Sequence, residues 1–110
     1  MGLPGLSRLD HVGFTVPDLD EAHVWLVEVL GCEYMYSLGP FEAADNWMRD
    51  HLNVDPRTVM RQLRFFRCGG QAVFEVFEYD ASDQRTDLPR NSDLGGMQPI
   101  LTKEAGWRRR

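Results

Sequence analysis

Residues 9–30, LDHVGFTVPDLDEAHVWLVEVL, decide the fold. Val12, Phe14 and Val16 recur with a period of two, so 9–16 reads as a strand with those side chains on one face. Leu9, His11, Gly13 and Thr15 fall on the other face. Pro17 closes the strand. Asp18 then stands as an N-cap, with Glu21 three residues on to complete a capping box. Leu19, Ala22, Leu26, Val29 and Leu30 make one apolar stripe of a helix over 19–30, and Gly31 is placed to cap it in a left-handed conformation. A strand feeding a helix within 22 residues is the start of an α+β unit.

Working outward, 33–38 reads as a second strand with Tyr34 and Tyr36 on one face, stopped by Gly39-Pro40. Ala44, Trp47, Met48 and Leu52 have helical spacing, which predicts a short helix over 42–52 before Pro56. Residues 58–67 and 71–79 are strands three and four, joined through Gly69-Gly70 as a hairpin. Residues 80–96 are Asp-, Ser-, Pro- and Gly-rich and read as a loop, and 97–110 as an irregular tail.

The 110 residues are one domain's worth, too few for a multidomain enzyme or a large barrel. The net charge of -5 leaves a nucleic-acid partner without an electrostatic footprint. Residues 1–96 hold eight Arg against sixteen acids, or -8, whereas 97–110 carry +3. That change of sign sets 97–110 apart from the folded unit. No apolar run is long enough to span a membrane. Cys32 and Cys68 lie far apart in no metal or redox spacing, and Met1 to Arg8 has no apolar signal core. The expectation is a cytoplasmic protein with reduced thiols.

Two residues are out of place in this pattern. The fourth strand, QAVFEVFEY, is mainly apolar on both faces, so both faces should be covered. Glu75 is then a carboxylate between Val73 and Phe77 that needs a cation, a donor or water. Glu78 lies near the strand end, closer to solvent. On the first strand, His11 lies opposite the helix-packing face, beside Gly13 and Thr15, which leave room above it. An imidazole and a carboxylate facing one open surface are ligand types for a divalent metal. The bland alternative, a hydrogen-bonded rim histidine and a paired glutamate, stays open here. His23 and His51 have no spacing partner and read as solvated or structural. Asp45, Asp50 and Asp55 form no calcium loop. Arg57, Arg61, Arg64 and Arg67 read as a solvated strand face or as an anion-binding rim, and Trp25 and Trp47 as core.

The opening stretch through Glu33, together with FEVFEYDASDQ at 74–84 and the linker-like PRNSDLGG at 89–96, resembles the vicinal oxygen chelate superfamily. That group includes glyoxalase I, extradiol dioxygenases, and the fosfomycin and bleomycin resistance proteins. The resemblance implies a single βαβββ module over 1–96, forming half of a barrel with the helix on its convex side. It implies His11 and Glu75 as metal ligands. It also implies a second module after Gly96, where this chain instead reads Met97-Gln98-Pro99-Ile100, with Pro99 poor in a central strand.

The expectation is therefore a homodimer that completes the barrel. Each copy would bring His11 and Glu75 to a two-His, two-Glu site for Zn, Ni, Fe or Mn. The function implied is a metal-dependent, glyoxalase-like lyase or isomerase, or a dioxygenase with iron, acting on a small molecule with vicinal oxygens and using Glu75 to shuttle a proton. Two alternatives stay open: a metal-free binding protein with a groove of Phe65, Phe77, Tyr79 and Trp47, and an inactive module without its partner.

Overall fold

The computed structural model describes residues 2–95. Four strands form one open sheet in the order β1-β4-β3-β2. β1 (Val12–Thr15) runs parallel to β4 (Ala72–Asp80), which pairs antiparallel with β3 (Val59–Cys68), and β3 with β2 (Glu33–Leu38). α1 (Leu19–Val24) continues as a π-helical segment, Trp25–Val29, between β1 and β2, and α2 (Trp47–Leu52) lies between β2 and β3. This is an α+β fold with one βαβββ module, as read from the sequence. The tail at 97–110 lies outside the described residues.

The alternation in β1 and β4 sorts the sheet into two faces. Phe14 is opposite Val76 and Phe66 is opposite Phe74. These side chains join Val16, Leu19, Leu26 and Cys32 in a core beneath the first helix. On the other face Met60 and Leu63 pack with Met48 of α2, and Phe65, Phe77 and Tyr79 pack against that cluster. Both faces of β4 are therefore covered along much of its length, which is why it reads as apolar on both sides.

The first helix is tied down at its start. Asp18 Oδ1 accepts from the Glu21 amide at 3.0 Å, as a capping residue should. The Leu19 amide is met from the sheet: it donates to Glu78 Oε1 at 2.8 Å. Glu78, expected to turn toward water, instead satisfies an amide left free at a helix start. It also pairs with Arg61 Nε at 3.3 Å.

Four expectations are corrected. β1 starts at Val12 rather than residue 9, so 9–11 are free of the strand's alternation. α2 starts at Trp47 rather than 42, because the carbonyls of Ala44 and Asp45 accept from the Arg57 guanidinium instead of from helix amides. Trp47 is half-exposed and stacks on His51, with ring centroids 4.5 Å apart, so it is not core. The cysteines are not free thiols: Cys32 and Cys68 form a disulfide. The β2–β3 register explains it. Glu33 faces Arg67, so the next pair outward is Cys32 and Cys68, with Cα atoms 4.3 Å apart, within the reach of neighbouring antiparallel strands. Reading compartment from the N-terminal residues could not see that register.

The arginines do not form an anion rim either. Arg57 holds backbone carbonyls, Arg61 meets Glu78, Arg64 meets Asp20 at 2.7 Å and Arg67 lies 4.0 Å from Glu33. No helix among the described residues is long and apolar enough to cross a membrane.

Candidate metal-ligand pair on the open face

The β1–β4 register places Gly13 opposite Glu75. His11, two residues before Gly13, lies on the same face. Its Nε2 is 3.1 Å from Glu75 Oε1. The two residues singled out in the sequence therefore meet, although 64 positions separate them in the chain. Glu75 is mostly buried, with 17% of its side chain exposed, and His11 stays open at 36%. Phe65, opposite Glu75 on β3, meets the imidazole edge-on at 5.6 Å. Phe77 and Tyr79 stack along the same face, and Tyr36 stacks on Phe65.

Gly13 matters because of what a side chain there would strike. A Cβ would come within 3.1 Å of the Phe77 ring and 3.8 Å of Glu75 Oε1. Glycine keeps the space over the carboxylate open.

Asp10 is the residue the sequence reading missed. Its Oδ2 lies 2.8 Å from His11 Nδ1. An alternating strand from residue 9 would send Asp10 to the opposite face. Because the strand begins at Val12, the side chain can turn to its neighbour instead. This hydrogen bond is the main cause holding the His11 pKa above its usual value, with the Glu75 charge adding to it, and it lowers the Asp10 pKa. Tyr79 is pushed up by burial first and by the Glu75 charge second.

The arrangement makes a chemical demand. A neutral imidazole carries one N–H and one lone pair. With Nδ1–H donating to Asp10, Nε2 presents a lone pair to the Glu75 carboxylate 3.1 Å away. The other tautomer only moves the conflict to Asp10. A positive species must be shared: a second proton, or a metal cation. At 3.1 Å the pair has the separation of a hydrogen bond between a protonated imidazole and a carboxylate, and both side chains are of the types that ligate divalent ions. The Asp10–His11 bond is also the outer contact that metal-ligating histidines generally make. Among the described residues no group of three or more His, Cys, Asp or Glu converges on one point. His11 and Glu75, the two candidate ligands read from the sequence, are thus brought together on one chain.

His23 and His51 do not join the pair. His23, on α1, contacts Tyr34 and Phe66 and accepts from Arg64 Nη1 at 2.9 Å. His51 lies against Trp47.

The chain is 46% identical over 95 residues to a 2-epi-5-epi-valiolone epimerase from Actinomyces sp. The match covers 86% of this chain and 51% of that protein, so the chain spans about half the length of the curated relative. Among solved structures, the fosfomycin resistance protein FosX of Listeria monocytogenes superposes with a TM-score of 0.44 and 22% identity, over 76% of this chain and 55% of that one. No protein-family model matches.

Proposed function

We propose that this chain, a βαβββ module of the vicinal oxygen chelate type, is half of a metal-dependent enzyme that isomerises a small polyoxygenated molecule by moving a proton. The observation that carries the reading is the convergence of His11 Nε2 and Glu75 Oε1, 3.1 Å apart on the open face, two side-chain types that could hold a divalent ion. The likeness to a protein named an epimerase supports the reaction class. An epimerase inverts one stereocentre, and beside a carbonyl this is done by removing a proton and returning it to the other face.

His11 and Glu75 would hold the ion with the same pair from a second copy of the chain. A bound divalent metal supplies Lewis-acid stabilisation of charge developing on a substrate oxygen. The remaining work falls to the chain. Asp10 fixes the imidazole's orientation and tautomer. Gly13 leaves room for substrate over the carboxylate. Phe65 and Phe77 give the face its apolar walls. Glu75, when not fully engaged, is the proton carrier.

The second copy is supported by the open sheet with two unpaired edges, and by Tyr36, Leu38 and Phe41, large apolar side chains left half-exposed. The test is incubation with the relative's named substrate in deuterated water, on protein loaded with Zn, Ni, Fe or Mn in turn. Deuterium appearing in the product, and lost with Glu75→Gln, is expected. Turnover without solvent exchange, or an unchanged Glu75→Gln variant, contradicts the proton-transfer role.

A further inference from the structure

The two cysteines of the Cys32–Cys68 disulfide stand in different surroundings. Cys32 is 4% exposed, a member of the core with Phe14, Leu26 and Phe66, and its amide donates to Leu26 O at 2.8 Å. Cys68 packs against that core from the end of β3 and is partly exposed. One half of the cross-link belongs to the interior and the other half meets water.

That difference decides which sulfur a thiol can attack. In thiol–disulfide exchange an incoming thiolate must reach one sulfur, on the side away from the other. Cys32 has almost no open surface for such an approach, and Cys68 has some. A thiolate that departs into an apolar core is poorly solvated, which slows the step. It does not change which sulfur is reached.

The disulfide also fastens a lightly laddered corner of the sheet. Between it and the β-bulge at Tyr34 and Tyr36, β2 pairs with β3 at Glu33–Arg67 and Tyr34–Phe66. Glu33 Oε1 and Arg67 Nε are 4.0 Å apart and well exposed, so that ion pair holds little. Cys68 and Phe66 are on the helix side of the sheet, whereas Glu75 is opposite Phe65 on the other side. Opening this corner therefore leaves the His11–Glu75 pair in place.

We propose that Cys68 is a site of S-thiolation by a small thiol of the glutathione class, and that its modification releases the start of β2. The incoming sulfur bonds to Cys68 Sγ, the S–S bond breaks, and its electron pair goes to Cys32 Sγ, which takes a proton from water. The small thiol is oxidised and Cys32 is reduced. The proposal stands independently of the metal reading. In the test the parent protein is incubated with reduced glutathione, quenched in acid and mapped by peptide mass spectrometry. One glutathionyl group on Cys68, with Cys32 as a free thiol, is expected. Two single variants pose the same choice without a competing sulfur. With oxidised glutathione, Cys32→Ala should be modified roughly tenfold faster or more than Cys68→Ala, because a buried cysteine is inert. If the parent's mixed disulfide is too short-lived to trap, the variants decide; if a variant fails to fold, the parent decides. Hydrogen exchange in glutathionylated Cys32→Ala should be faster than in the disulfide-bonded parent at amides 32–34 and unchanged at 74–77. The proposal is overturned by glutathione on Cys32, by equal rates in the two variants, or by a Cys68 that stays unmodified throughout. It is equally overturned by an air-oxidised parent with two free thiols, by unchanged exchange at 32–34, or by faster exchange at 74–77 as well.

Discussion

Two histidines lie on opposite faces of the same sheet, each against an aromatic ring. His11 is on the open face, between Asp10 and Glu75 and edge-on to Phe65. His23 is on the helix face, edge-on to Phe66 and hydrogen-bonded to Arg64, which Asp20 holds in turn. The first has acids on both sides and its pKa is raised. The second is partly buried beside a cation, and its pKa is lowered, by desolvation first and by Arg64 second. The lesson is that residue type does not make a ligand. The imidazole that is the candidate ligand faces carboxylates; the one that serves the fold accepts a hydrogen bond from a permanent cation.

The sharpest way to break this comparison is to remove each ring. His11→Ala should abolish metal binding and leave the melting temperature close to the parent's. His23→Ala should do the reverse, keeping metal while losing about 1–3 kcal/mol through the lost packing on Tyr34 and Phe66 and one lost acceptor of Arg64. Metal analysis and thermal melts check both, and a His23→Ala variant that also lost metal would collapse the distinction.

The largest effect on stability alone is expected at the disulfide, at one end of the helix-side core. A cross-link across 36 positions stabilises by about 4 kcal/mol in the chain-entropy account. Reduction, or Cys32→Ser with Cys68→Ser, should lower stability by about that amount in denaturant melts without changing metal content. Asp10→Asn should weaken metal affinity about 10–100-fold, as loss of an outer contact does, with stability nearly unchanged. Equal affinity in a metal titration would show that Asp10 does not prepare the ligand.

The smallest effect is a pH dependence. The His23 pKa is lower folded than unfolded, so the fold favours the neutral ring. Its contribution is fully present above the unfolded value of about 6.5 and is lost as pH falls through the folded value. Stability of the parent should therefore drop on acidification more steeply than that of His23→Gln. Parallel profiles in denaturant melts would show that this histidine carries no such linkage.

The parts of the molecule legible in the sequence were those with local causes. The period of two in 12–16, the Asp18 cap and the Gly69-Gly70 turn act over a few residues, and they gave the element order. His11 and Glu75 stood out because each breaks an apolar pattern; strand alternation placed Glu75, whereas His11 precedes β1 and reaches the same face through its contact with Glu75. What escaped depended on where neighbouring strands begin and how they register. Cys32 meets Cys68 through the β2–β3 pairing, and Asp10 reaches His11 only because β1 starts two residues beyond it. Arg57 shortens α2 from outside the helix, and Glu78 caps a helix 59 positions away.

The central claim is that one chain holds half of a shared metal site. Native mass spectrometry of the metal-loaded protein tests it most directly. The account predicts a dimer carrying one divalent ion, and a metal-free species for His11→Ala. A monomer that holds its own ion, or a His11→Ala protein that keeps the ion, would contradict it.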